Sequence, residues 1–267
     1  MQGMWISLNI RCGNKMNDVR CQPKKCPKLR SQNPNVEDKH EVYNGCEIVE
    51  SRISFKQTAP PSTFKEIGIE DPSRKVIEKI LQDALTNPSK KMSKIRKVFR
   101  VKNSPEVIEK FEKYRDVVKQ KAKKTEHKYP RSLVDGNELL CFYVTTMICQ
   151  NRRSEPISGP CEHPDCNLCL TISSSFDIKS TKRFGLQLSM SNAALSESIA
   201  MISKGKSSKT VVIICRIIAG RIRAVKDRTN EDEYDSIRNY RGFCFNSENL
   251  IVKNPNAVLP CFVIVLN

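Results

Sequence analysis

Apolar positions recur at helical spacing in two places. Val76, Ile77, Ile80, Leu81, Ala84 and Leu85 form one stripe, because residues three and four apart share a helix face. Asp71-Pro72-Ser73 supplies an N-cap residue and an early proline, so a helix is expected to start there and stop near Asn87-Pro88. The second stripe is Val107, Ile108, Phe111, Tyr114, Val117 and Val118, opened by Ser104-Pro105-Glu106 and closed among lysines, which favour a helix C-terminus. Between them, Ile95, Val98, Phe99 and Val101 read as a strand with a charged exposed face. From Asn137 the pattern turns to strands. Leu139–Met147 is apolar and Thr-rich, and Thr210–Ile222 is β-branched and long enough for a buried central strand. Leu250–Val252 and Pro260–Leu266 are further strands, separated by a turn at Asn254-Pro255-Asn256. Short helices are expected at Asn192–Met201 and near Asp232–Asn239. Helices lead and strands follow, so the class is α+β.

The first seventy residues lack such periodicity and carry Pro23, Pro27, Pro34, Pro60 and Pro61. They read as a poorly ordered N-terminal region, residues 1–70, ahead of a folded domain, residues 71–267. No run reaches the roughly 20 apolar residues of a membrane helix, so no membrane span is expected. Met1 to Leu8 has neither a basic region nor a long apolar stretch, so a secretory signal is not expected either.

Charge adds a class of partner. The chain of 267 residues has 46 Lys+Arg against 29 Asp+Glu, a formal net charge of +17. That balance favours polyanions, nucleic acid among them, or else a solvated basic surface, and it points to the nucleus. Lys90–Lys102 contains no acid, and Lys119, Lys121, Lys123, Lys124, Lys128 and Arg131 form a second run. If the two runs share one face, they bind polyanions weakly and without sequence preference. Aromatic residues are 6 %, too few for a base-stacking platform.

The 12 cysteines change the picture more. Cys141, Cys215 and Cys261 sit inside apolar runs and read as small core residues. Cys149, Cys161, Cys166 and Cys169 form C-x11-C-x4-C-x2-C around a polar, turn-rich loop, a Cys-rich insertion at about residues 149–170. A C-x2-C knuckle aims two thiolates at one point, and four thiolates satisfy tetrahedral zinc. All four lie in one insertion between strands, which suits a structural ion. His163 is the substitute ligand if Cys149 turns inward, and free thiols are the alternative to a metal. Cys12, Cys21, Cys26 and His40 match no standard finger spacing.

Four segments, in order, carry a resemblance. Lys94–Lys119 gives a strand, then Asn103, then a helix with Phe111 and Tyr114. Gly136–Thr146 (GNELLCFYVTT), Arg183–Ile199 (RFGLQLSMSNAALSESI) and Glu248–Val265 (ENLIVKNPNAVLPCFVIV) follow. Together they resemble the catalytic domain of the diphtheria-toxin-like ADP-ribosyltransferases, the poly(ADP-ribose) polymerase superfamily, over about residues 73–267. More closely, Trp5–Leu8, the segment around Asp135–Thr146, the Cys cluster and Asn254–Ile264 are similar to plant proteins that join a C2H2 finger to such a domain. The finger itself is missing. The resemblance implies a mixed, mostly antiparallel split sheet with flanking helices, and nicotinamide adenine dinucleotide as cofactor.

It also implies a degenerate site. Where active members carry a His-Gly pair, this chain has Tyr143 and Val144. The His bonds a ribose hydroxyl, and the Gly lets backbone approach the nicotinamide; Val adds a β-branched side chain there. After the glycine-containing strand, whose glycine matches Gly185, the family places a stacking Tyr, but this chain offers Ser196 and Ser198. The catalytic Glu position corresponds to Asn249, with Glu248 one residue earlier and on the opposite strand face. An amide supplies no negative charge for an oxocarbenium-like transition state. Three functions follow: a pseudoenzyme binding a nucleotide or a protein, an active mono-ADP-ribosyltransferase using Tyr143 and Glu248, or a non-specific nucleic-acid binder. The substitutions favour the first.

Overall fold

Residues 61–85, 94–124, 129–149, 159–203, 208–224, 234–240 and 248–267 are described by the structure, a computed structural model. Among them, β1 (Thr63–Glu66), α1 (Pro72–Leu85), β2 (Ile95–Lys102), α2 (Pro105–Lys123), α3 (Pro130–Asp135) and β3 (Glu138–Met147) come first. They are followed by α4 (Asn167–Ser173), α5 (Lys179–Phe184), β4 (Leu186–Ser189), α6 (Asn192–Ile202), β5 (Lys209–Ile218), β6 (Ile222–Ala224), β7 (Ser236–Tyr240), β8 (Glu248–Val252) and β9 (Val258–Leu266). The class is α+β, as the order of patterns implies. All the strands form one sheet in the order β1-β2-β9-β5-β3-β4-β8-β7-β6. Only β6 and β7 pair in parallel.

The sheet divides the core into two layers. On one face α2 and α4 bring Phe111, Val118, Leu168 and Ile172 against Cys141, Leu188 and Leu250. On the other, α1 and α6 bring Ile77, Leu81, Leu195 and Ile199 against Phe142, Val144 and Ile264. The central strands β5 and β9 are therefore apolar on both faces, the pattern of a strand covered twice. The caps are the ones expected. Asp71 accepts the Ser73 N–H at 2.8 Å, and Ser104 accepts the Val107 N–H at 3.3 Å ahead of Pro105. The first contact holds the half-buried Asp71 carboxyl below its usual range.

Three elements differ from the sequence reading. Among the described residues the first strand is at Thr63, ahead of the expected boundary at Asp71, because Phe64 is buried and β1 pairs with β2 from Thr63↔Lys102 to Glu66↔Phe99. The run Thr210–Ile222 is not one strand. It ends at Ile218, and Ile222–Ala224 becomes β6 at the far edge of the sheet. Gly220 adopts φ +57°, and the Asp235 carboxylate closes the turn by accepting the Arg221 N–H at 2.9 Å. The segment near Asp232–Asn239, expected as a helix, contributes β7, which pairs along its whole length with β8. Hydrophobicity alone cannot announce a turn whose partner lies in another segment.

The sheet is almost split. β3 pairs fully with β5, and β4 fully with β8, but β3 and β4 share the single pair Phe142↔Ser189. One half is β1-β2-β9-β5-β3 and the other is β4-β8-β7-β6. Pro260, which cannot donate to a ladder, sits in β9 where the pairing with β5 slips between Ile214 and Cys215.

Candidate metal centre

Three elements bring the Cys-rich insertion together. Cys149 lies just past the end of β3, Cys161 lies in the following loop, and Cys166 and Cys169 lie at the start of α4. α4 is anchored by burial of Leu168 and Ile172 and by the Asn167 side-chain amide, which donates to Thr146 Oγ1 of β3 at 2.8 Å. The Cys166 N–H donates to the His163 carbonyl at 3.1 Å, and the Leu170 N–H to the Cys166 carbonyl at 2.9 Å. These bonds turn the knuckle so that both of its thiols point back toward β3.

The four sulfurs lie within 4.8 Å of one another. Cys149 Sγ is 3.4 Å from Cys166 Sγ and 3.5 Å from Cys169 Sγ. A tetrahedral ion with metal–sulfur bonds of about 2.3 Å places its ligands about 3.8 Å apart, so the set needs little adjustment to hold a metal ion. Cys166 and Cys169 are fully buried, and Cys149 and Cys161 are half-exposed. The Cys149 thiol is lowered to about 5, first by the hydrogen bond from Cys169, then by those from Cys166 and Cys161. Cys169 is raised chiefly because it donates to Cys149, and Cys161 is raised by burial. One thiolate is thus stabilised by its neighbours' S–H groups, a donor set ready to exchange protons for a cation.

His163 is not needed as the fourth ligand. It is exposed, and its Nδ1 accepts the Asp165 N–H at 3.2 Å. Cys141, Cys215 and Cys261 are fully or nearly fully buried in the core, as expected of small apolar side chains. Burial pushes the Cys141 thiol up to about 12. Cys12, Cys21, Cys26 and His40 lie outside the described residues.

Of the residues suggested for a transferase-like site, Val144, Ser198 and Asn249 lie on one face of the sheet and Tyr143 and Glu248 on the other. Asn249 lies opposite Ser189, and Ser189 opposite Phe142, so these three side chains share the face under α6. Val144 packs on that face, and Ser198 of α6 reaches Ser189, Oγ to Oγ, at 3.1 Å. Asn249 is 2 % exposed, and its Oδ1 has no hydrogen-bond partner among the described residues. Tyr143 and Glu248 alternate to the other face. Tyr143 packs edge-on against Phe176 with ring centroids 5.5 Å apart, and its phenol is raised by burial. Glu248 is held by its backbone, donating to Ser191 Oγ at 3.2 Å and accepting the Met190 N–H at 2.9 Å. Gly185 has φ +76° at the entry to β4, where a Cβ would meet Ile251 Cγ2 at 2.7 Å. A ribose held by the Tyr143 and Asn249 positions together would have to lie on both sides of the sheet. The residues present do not fit nicotinamide adenine dinucleotide in that manner.

Phe176 is the residue the sequence did not mark. It is fully buried beside Tyr143 of β3, with φ +64°, a conformation rare for a bulky side chain. The Schellman-type end of α4 accounts for the positive φ of Ser175, +50°, the residue before it: the Ser175 N–H donates to the Ile172 carbonyl at 3.2 Å and the Phe176 N–H to the Thr171 carbonyl at 2.9 Å. Leu168 and Ile172, four residues apart, are the apolar sequence signal for that helix.

Among the described residues of the first basic run, Lys97 and Arg100 lie on opposite faces of the sheet. Lys90 and Lys91 lie outside the described residues. On β2, Lys97 lies over Phe99 and pairs with Glu66 at 3.0 Å, whereas Arg100 lies over Phe262 on the opposite face of the sheet. In the second run Lys121 pairs with Asp235 at 3.4 Å and Arg131 with Asp135 at 2.8 Å. Among the described residues, no helix is long and apolar enough to cross a membrane.

Compared with known proteins, the chain matches no family model and no curated protein.

Proposed function

We propose that this chain is a non-catalytic binding module on an ADP-ribosyltransferase-like sheet, with its Cys-rich insertion fixed by a structural zinc ion. The observation that carries the reading is the tetracysteine cluster, four sulfurs within 4.8 Å. Four thiolates with no water-bearing position match a closed, structural zinc site rather than a catalytic one. Cys149, Cys161, Cys166 and Cys169 would hold the ion and so join the end of β3, the loop and α4.

The nearly split sheet and the four ordered segments support the fold assignment. The opposed faces of Tyr143 and Asn249, and the filling of the space beside Tyr143 by Phe176, support a module without transferase chemistry. The test is elemental analysis of protein purified without chelator, with a thermal-shift assay on the same sample. About one zinc per chain is expected. Nicotinamide adenine dinucleotide is expected to leave the melting temperature unchanged, since only a ligand bound by the native state raises it. Zinc near zero would overturn the metal reading. Stabilisation by the dinucleotide, with transfer of labelled ADP-ribose to protein acceptors, would overturn the non-catalytic one.

A further inference from the structure

Cys149 holds a special place in the cluster. It is half-exposed, whereas the two sulfurs within 3.5 Å of it, those of Cys166 and Cys169, are fully buried. A small oxidant in solvent therefore reaches Cys149 before it reaches either partner. Cys161 is the other half-exposed member, but it comes from the loop and not from a strand or helix. The remaining described cysteines lie in the apolar core, where a thiol is inert.

We propose that Cys149 is an oxidation site for hydroperoxides, and that it forms a disulfide with Cys166 or Cys169 that expels the metal ion. The ion-release step rests on the zinc reading above. The Cys149 thiolate attacks one peroxide oxygen and the O–O bond breaks. This gives a sulfenic acid and releases hydroxide, or an alkoxide from an organic peroxide. The thiolate of Cys166 or Cys169 then attacks the sulfenic sulfur; the S–O bond breaks, hydroxide leaves and the S–S bond forms. The two sulfurs together lose two electrons and the peroxide gains two. With half of its ligands gone the ion dissociates, and Cys161 and the remaining thiolate take up protons from water.

The topology gives this reaction a directed outcome. Either disulfide still joins the end of β3 to α4, so the helix stays docked and Phe176 stays against Tyr143. Only the loop carrying Cys161 is released. Oxidation would thus free one loop without loosening the sheet.

The experiment uses the zinc-loaded full chain and hydrogen peroxide. Released zinc is followed with a colorimetric chelator. Disulfides are mapped by mass spectrometry after digestion with trypsin and a glutamate-specific protease, which cuts after Glu162 and so separates Cys161 from Cys166 and Cys169. The expected result is release of about one ion per chain, in step with a crosslink from the Cys149 peptide to the Cys166/Cys169 peptide. The same crosslink is expected in Cys161→Ser, and helix content should hold within a few per cent of the reduced protein. Zinc retained through peroxide treatment would overturn the proposal, as would a Cys166–Cys169 or Cys149–Cys161 disulfide. Zinc content before oxidant separates the two readings: a metal-free starting protein defeats the zinc assignment, while the identity of the crosslink still decides the role of Cys149.

Discussion

At Gly220 one missing side chain determines how two segments meet. Its φ is +57°, and a Cβ would lie 2.4 Å from Asp235 Oδ2. Asp235 is 8 % exposed and is held by the Arg221 N–H at 2.9 Å, while Ser236 Oγ donates to the Ala219 carbonyl at 2.7 Å. A substitution at Gly220 thus strains the backbone and displaces a buried carboxylate that the Arg221 and Lys121 side chains also hold. Gly220→Ala is expected to destabilise the fold by about 1–3 kcal/mol from the backbone alone, and by more if the Asp235 bonds break. Urea denaturation measures it; a loss under about 0.5 kcal/mol, the range of ordinary surface changes, would show that the turn is not strained. Phe176 stores similar strain at φ +64°, offset by full burial of its ring.

Among the elements, α4 depends most on its surroundings. It has seven residues, Asn167–Ser173, far below the length at which a helix is stable alone. Three supports hold it: the apolar contacts of Leu168 and Ile172, the Asn167–Thr146 hydrogen bond and the sulfur cluster. With the proposed ion bound, its removal loosens the third. A strong chelator is therefore expected to speed amide exchange across Cys161–Phe176 while the ladders of β5 and β9 stay protected. Exchange that rises equally everywhere would mean that the ion supports the whole fold and not this element. The same site sets a pH dependence. Metal binding displaces the protons of thiols such as Cys169 and Cys161, whose acidity is weakened, so affinity falls as pH falls and rises as pH rises. Metal retention that does not change between about pH 8 and pH 5 would exclude thiolate ligation.

For the whole molecule, net charge and charge placement give different expectations. A charge of +17 attracts polyanions at long range. Yet Lys97, Lys110, Lys113, Lys121 and Arg131 are each within ion-pairing distance of a carboxylate, and β2 divides its cations between the two sheet faces. These described cations therefore meet a phosphate already partly neutralised by their carboxylate partners. The protein is expected to bind heparin and DNA alike at low salt and to release both near about 150 mM, where screening acts within about 8 Å. A complex with one of them that survives physiological salt would reveal a gathered basic site and restore a nucleic-acid function.

What the sequence determined by itself is what depends on neighbours along the chain. The stripes Ile77–Leu81 and Phe111–Val118, the caps Asp71 and Ser104, the apolar strands around Ile213 and Val263, and the C-x2-C knuckle are all local patterns, and the structure contains each of them. The four-cysteine cluster, which could hold a metal ion, was legible for the same reason, since all four cysteines lie in one insertion. Tertiary structure decided whatever needed a partner from elsewhere. It broke Thr210–Ile222 at Gly220 because Asp235 arrives from another segment, and it made β7 a strand because β8 offered a ladder. It also put Tyr143 and Asn249 on opposite faces of the sheet, because the register Phe142↔Ser189↔Asn249 fixes the direction of every side chain along those strands. Register is a relation between strands, and a shift of one residue would reverse all of them.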